Sequence, residues 1–102
     1  MDHAFLEQVV QKELGFSSID AFAKRQAAII FQQKTTDSEQ IISGFETKYG
    51  MKLAEFQVRV VNQKDLALKR FGMIEKEDDL MDWEFEEHGL AYFRERLAQF
   101  GE

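Results

Sequence analysis

Glu84 and His88 stand four residues apart, and Asp78 and Asp82 repeat that spacing. On a helix both members of each pair face one side, so a carboxylate and an imidazole there could share a divalent metal ion. A di-metal bundle, however, draws carboxylates from several helices and adds two Glu-x-x-His pairs. This sequence has no such pair, and its other histidine is His3, far from the acidic run. The acidic run therefore reads as a solvated helix face, with no metal or cofactor expected. Nucleophilic catalysis has less to work with. Cysteine is absent, and Ser17, Ser18, Ser38 and Ser43 sit in no Gly-x-Ser-x-Gly elbow. No glycine-rich loop is available to cradle a phosphate. The chain is not expected to be an enzyme.

Charge is distributed unevenly about a net −6. Residues 48–74 carry six cationic side chains against Glu55 and Asp65, whereas residues 75–88 carry eight acidic side chains against Lys76 alone. Arg59, Lys64, Lys69 and Arg70, with Phe71 adjacent, are the candidates for contacting a phosphate backbone. Nucleic-acid surfaces cluster more positive charge and interleave several aromatics. The acidic segment that follows would repel or mask such a patch, so internal counter-charge is the favoured reading and a nucleic-acid-binding regulator the alternative. The opposite polarity, an acidic surface for a basic partner, is carried by Asp78, Asp79, Asp82 and Glu86 with the aromatics Trp83, Phe85 and Tyr92. Ten phenylalanines are more than a thin set of helices buries easily. That surplus points to an interface, with a homodimer or a second protein as its occupant.

The elements that must position these residues are helical. There is no proline and there are six glycines, too few turn residues for a sandwich or barrel. Phe5, Leu6, Val9, Val10 and Leu14 recur at helical spacing from Asp2, with Gly15 placed for a left-handed C-cap and Phe16 placed to pack back. Ser17 or Ser18 caps a second helix, with Asp20 near its positive end. Its apolar positions are Ile19, Phe22, Ala23, Ala27, Ile30 and Phe31, then Ile41, Ile42, Phe45 and Tyr49. Thr36 and Glu39 have capping-box spacing, so residues 18–49 form one continuous or slightly kinked helix, or two. Gly50 and Met51 supply a Schellman-like ending. Leu53, Phe56 and Val60 mark a short helix. The alternation across 56–61 resembles a strand, but nothing pairs with it. Residues 62–74 read as a connection with a turn at Leu66–Leu68. A last helix over Glu77 to Phe100 presents Leu80, Trp83, Leu90, Leu97 and Phe100 on one face, with Asp78 and Asp79 in its first turn, and ends at Gly101. Gly89 within it leaves room for another helix to approach closely. The expectation is one all-α domain over 1–102, with three to five helices in an antiparallel hairpin or bundle, dimeric. The start of the chain lacks a signal peptide's basic and apolar regions, and no apolar run reaches the roughly 20 residues of a membrane span, so a cytoplasmic location is expected.

Two segments carry a resemblance: Phe45-Glu-Thr-Lys-Tyr-Gly-Met-Lys-Leu-Ala-Glu-Phe56, and Glu77-Asp-Asp-Leu-Met-Asp-Trp-Glu84 followed by Leu90-Ala-Tyr-Phe93. Together they resemble a group of short, acidic, helical bacterial and archaeal proteins. That group shows a helix ending in Lys-Tyr-Gly-Met, a Phe-Glu-Glu-Phe helix and a Glu-Asp-Asp-Leu-Met-Glu-Trp-Glu helix. Its members often look like the antitoxin half of a toxin–antitoxin pair. Lys52 departs from the pattern, where a Ser or Thr cap is usual, and the link between Val61 and Ile74 is longer and more basic. The resemblance implies partner binding rather than catalysis, and it assigns no functional residues; with the acidic charge pattern, the expected partner is a small basic protein.

Overall fold

In the computed structural model, which describes residues 2–62 and 64–100, four α-helices run in the order α1 His3–Gln8, α2 Ile19–Tyr49, α3 Leu53–Arg59 and α4 Met73–Gln99. There is no strand among the described residues, and none of the helices is long and apolar enough to cross a membrane. α2 and α4 pair antiparallel along most of their length. Lys48 meets Asp79 near one end, Phe45 stacks on Trp83 further along, and Phe31 meets Phe93 and Phe100 towards the other end. The molecule measures 66 × 24 × 16 Å, with a radius of gyration of 20.7 Å. A compact chain of this length would have a radius near 13 Å. The fold is thus a long hairpin with little covering its outer faces.

Local chemistry sets the helix ends. Asp2 accepts from the Ala4 amide at 3.2 Å and caps α1. The uniform first helix expected over 2–14 is instead interrupted: after Gln8 the chain widens into a π turn over Val9–Glu13. Leu14 donates to the Val9 carbonyl at 3.1 Å, five residues back. Gly15 then adopts φ +78°, the left-handed ending its position suggests. The Phe16 amide turns back to donate to the Val10 carbonyl at 3.0 Å, and its ring meets Phe22 edge-on, with centroids 5.4 Å apart.

Ser18, not Ser17, caps α2 by accepting from the Ala21 amide at 3.0 Å. No break occurs at Thr36, so the capping box there is unused and one 31-residue helix results. Of the apolar residues marked in the sequence, Phe31, Ile42, Phe45 and Tyr49 lie on its inner seam, whereas Ile30 and Ile41 do not. Ala28, Thr35, Ile42 and Tyr49 are buried at heptad spacing, with Ser38 between them, while Ile30 lies mostly exposed. Phe31 lies on the same seam and meets the rings of Phe93 and Phe100 on α4 and its C-cap, with the edge of Tyr92 beside them. The Thr35 hydroxyl is satisfied by the Phe31 carbonyl at 2.9 Å.

α2 ends at Gly50, with φ +71°, and Met51 is buried just beyond. α3 starts at Lys52 without a side-chain cap. The segment 60–72 is a chain of turns, in which the Asp65 carboxylate accepts from the Ala67 amide and Leu68 inserts into the core. α4 begins at Met73, four residues before the expected Glu77. Gly72 takes an extended conformation as its N-cap, and the Glu75 carboxylate reaches back to the Gly72 amide at 3.3 Å. Glu75 therefore occupies the first turn, and Asp78 and Asp79 lie beyond it.

The main core sits where α3 and the following turns cover the hairpin. Trp83 and Phe56 are fully buried there with Tyr49, Ile42, Met51, Leu68 and Leu90. Among the described residues no other helix of the chain approaches Gly89 closely. A Cβ at that position would meet only Phe93 of its own helix, at 3.6 Å. Two glycine substitutions should therefore move stability in opposite directions. Gly50→Ala forces a side chain into the left-handed region and is expected to cost about 1 kcal/mol. Gly89→Ala meets ordinary contact inside a helix and is expected to add up to about 1 kcal/mol. Thermal melts of the two variants check both signs.

Candidate interaction surface

α4 is apolar on two opposite faces. Trp83, Leu90 and Leu97 point into the hairpin, and Leu80 packs against the same core. On the other side Ile74, Met81, Phe85 and Tyr92 are 74%, 64%, 73% and 48% exposed. Their separations are seven, four and seven residues, so at about 100° per residue they fall within roughly 40° of a single line along the helix. Exposed apolar side chains scattered singly are ordinary, but four aligned along one helix face are a surface suited to contact. Asp78 and Asp82 are exposed beside this stripe, as are Glu77 and His88.

The residues expected to bind a partner divide between the two faces. Asp78, Asp82, Phe85 and Tyr92 are exposed. Tyr92 leans on Phe31 and lies beneath the Arg96 guanidinium, 4.9 Å from its ring centroid. Glu86 is half-buried at the border. Trp83 is fully enclosed by Phe45, Tyr49 and Phe56, so it faces away from any partner on the outer side. Asp79 is committed internally. It accepts from the Tyr49 hydroxyl and from Lys48 Nζ, the latter at 2.6 Å, and Lys48 also reaches Glu75 at 2.6 Å. Burial pushes the Asp79 carboxyl up, but the hydrogen bonds from Lys48 and Tyr49 prevail and hold it below the usual carboxylate range. Lys48 is correspondingly raised by Asp79 and then Glu75, and Tyr49 is raised first by burial and then by Asp79. This cluster pins the end of α2 to the start of α4, and it engages two of the eight acids of 75–88 within the chain.

The cationic segment is largely engaged as well. The Arg59 guanidinium holds both Asp65 oxygens, at 2.7 and 3.0 Å, and reaches Glu55 at 3.0 Å. Its pairing keeps Asp65 below the usual carboxylate range. Lys52 meets Glu46 at 3.1 Å. Arg70 lies over the Phe71 ring, 4.7 Å from its centroid, while Lys64 and Lys69 are exposed. Of the four candidate phosphate contacts, Arg59 is thus occupied by carboxylates. Glu84 accepts from Gln57 at 3.2 Å, tying α3 to α4, and His88 points outward. The described residues contain no group of three acidic or histidine side chains that could hold a metal ion.

No family model, curated protein or solved structure matches the chain.

Two members of the outer stripe, Ile74 and Met81, were not marked as candidates by sequence reasoning. Their signal was present in the seven-four-seven spacing with Phe85 and Tyr92. It was obscured because the same helix carries a second, equally regular apolar face around Trp83.

Proposed function

We propose that this protein is a non-catalytic interaction module whose contact surface is the outer face of α4, serving as an antitoxin-like partner of a small basic protein. The observation that carries the reading is the exposed line Ile74, Met81, Phe85 and Tyr92, bordered by Glu77, Asp78 and Asp82. An apolar line marks a contact face, and the acidic side chains along its border suit a partner that brings Lys and Arg to that rim. The net charge of −6 would steer such a partner toward the surface and speed encounter. The resemblance of residues 45–56 and 77–93 to antitoxin-like proteins supports the same class of partner.

The test is capture by the tagged full-length chain in its native host, across a salt series. A small basic protein should be retained at low salt, released progressively as salt rises, and lost with the double variant Asp78→Lys, Asp82→Lys. Recovery of the chain alone at every salt concentration counts against the reading. The alternative, a nucleic-acid-binding regulator, retains Lys64, Lys69 and Arg70 as exposed cations but not Arg59. It would require a salt-sensitive mobility shift that those three cations control.

A further inference from the structure

The spacing of the outer stripe reads the same from either end: seven, four, seven. A helix laid antiparallel across it, with a two-fold axis level with residue 83, would meet the same spacing in reverse. Ile74 then falls opposite Tyr92 of the partner subunit, and Met81 falls opposite Phe85 of the partner subunit. Each contact occurs twice, as an isologous interface requires. We propose that the outer face of α4 is covered by a second copy of this chain, packed antiparallel in that register. The proposal rests on the reading of this face as an interaction surface and names its apolar occupant.

Two further observations favour a second copy. The first is the shape of the chain, a 66 Å hairpin only 16 Å thick in its shortest dimension. Stacking a second hairpin on α4 makes a four-helix arrangement in which both apolar faces of α4 are buried. The second is charge. A parallel pair in register would set Glu77, Asp78, Asp82 and Glu84 each level with its own counterpart, and like charges in register are unfavourable. The antiparallel register sets Glu77 and Asp78 level with Gly89 and His88 of the partner subunit, and leaves Asp82 level with Glu84 of the partner subunit as the like-charged pair. Asp82 and Glu84 lie to the sides of the stripe and stay at the rim, where a basic protein would meet them.

The two associations respond oppositely to salt. Two chains of net charge −6 repel one another, so self-association should strengthen as added salt screens that repulsion. Binding to a basic protein should weaken. Failure of the dimer and failure of the basic-partner reading are therefore separable.

Light scattering in high salt should give twice the chain mass of 11.9 kDa for the native protein. The variant Phe85→Asp should give the single-chain mass with unchanged helical circular dichroism, because Phe85 lies outside the core. The chain has no cysteine, so cross-linking reports the register cleanly. The double variant Ile74→Cys, Tyr92→Cys should oxidise to a covalent dimer. Either single variant should not, because each new thiol would lie roughly 27 Å from its own counterpart, against the about 4–7 Å between Cα atoms that a disulfide needs. A native chain that stays monomeric in high salt, a dimeric Phe85→Asp, or cross-linking of the single Ile74→Cys variant would each overturn the proposal.

Discussion

Replacing Trp83 with Ala is expected to remove about 3–5 kcal/mol of stability, the usual cost of deleting a fully buried large aromatic. Trp83 is fully buried and stands at the centre of a ring cluster. Its centroid lies 5.4 Å from Phe45, 5.2 Å from Phe56 and 6.2 Å from Tyr49. With Tyr49 and Phe56 it is one of the side chains at which α2, α3 and α4 meet. A small domain is stabilised by only about 5–15 kcal/mol in total, so the loss is a large fraction of what holds the hairpin closed. The melting temperature should fall by roughly 15 °C or more, if the variant folds at all. Trp83→Phe separates ring packing from the indole N–H. The Trp83 Nε1 is buried and finds no hydrogen-bond partner among the described residues. Phe keeps most of the ring contacts and deletes that unpaired donor, so its cost should stay within about 1–2 kcal/mol. Urea unfolding followed by circular dichroism measures both variants. Near-native stability in Trp83→Ala would place the indole on the surface rather than in the core.

Replacing Asp79 with Asn is the second large effect, because one carboxylate serves two donors. Its side chain is 18% exposed and takes hydrogen bonds from Lys48 and Tyr49. Asn keeps the shape but loses the charge that strengthens both bonds. The expected cost is about 1–2 kcal/mol, the lower part of the range for charge-assisted bonds, since Lys48 remains partly solvated. The pH dependence has a definite sign. The Asp79 carboxyl is held below its ordinary value, so it is more readily protonated in the unfolded chain. Its contribution is fully present above roughly pH 4 and is lost as pH falls through the lower folded value. Glu75, lowered first by Lys48, acts in the same direction. At the alkaline end Lys48 and Tyr49 are both raised, so their contribution holds below roughly pH 10 and disappears as pH climbs beyond it. Melting curves of native protein and Asp79→Asn should therefore differ across the neutral range and converge in acid. Curves that stay equally separated in acid would show that ionisation of Asp79 is not what the cluster depends on.

The two outcomes bear on function as well as stability. Trp83 and Asp79 hold α4 against α2 with one face, and this orientation leaves Ile74, Met81, Phe85 and Tyr92 outside. A variant that loosens the inner face would let α4 rotate and would blur the outer stripe. Phe85→Asp should act differently, altering association while leaving unfolding nearly unchanged.

Much of the local structure follows from residues near one another in the chain. Ser18 caps α2, Gly15 and Gly50 take left-handed endings, and Leu53 to Arg59 form a short helix. Each depends on bonds spanning a few residues, so propensity and periodicity suffice to locate them. Gly72 paired with Glu75 is a local signal of the same kind, and it sets the start of α4 four residues earlier than the acidic run suggests. What only the tertiary structure decides is which apolar face turns inward. α4 carries two regular stripes, and periodicity ranks them equally. The choice goes to the Trp83 face because Phe45, Tyr49 and Phe56 close around the indole, while Asp79 on that side finds Lys48 and Tyr49. The seam of α2 buries Ala28, Thr35 and Ser38 and leaves Ile30 outside, because Phe31 and Phe45 on the same seam find Phe93 and Trp83 of α4. Burial is settled by partners distant in sequence. Thus the acidic, aromatic character of α4 is legible in the chain, whereas its division into an inner clasp and an outer contact surface belongs to the fold.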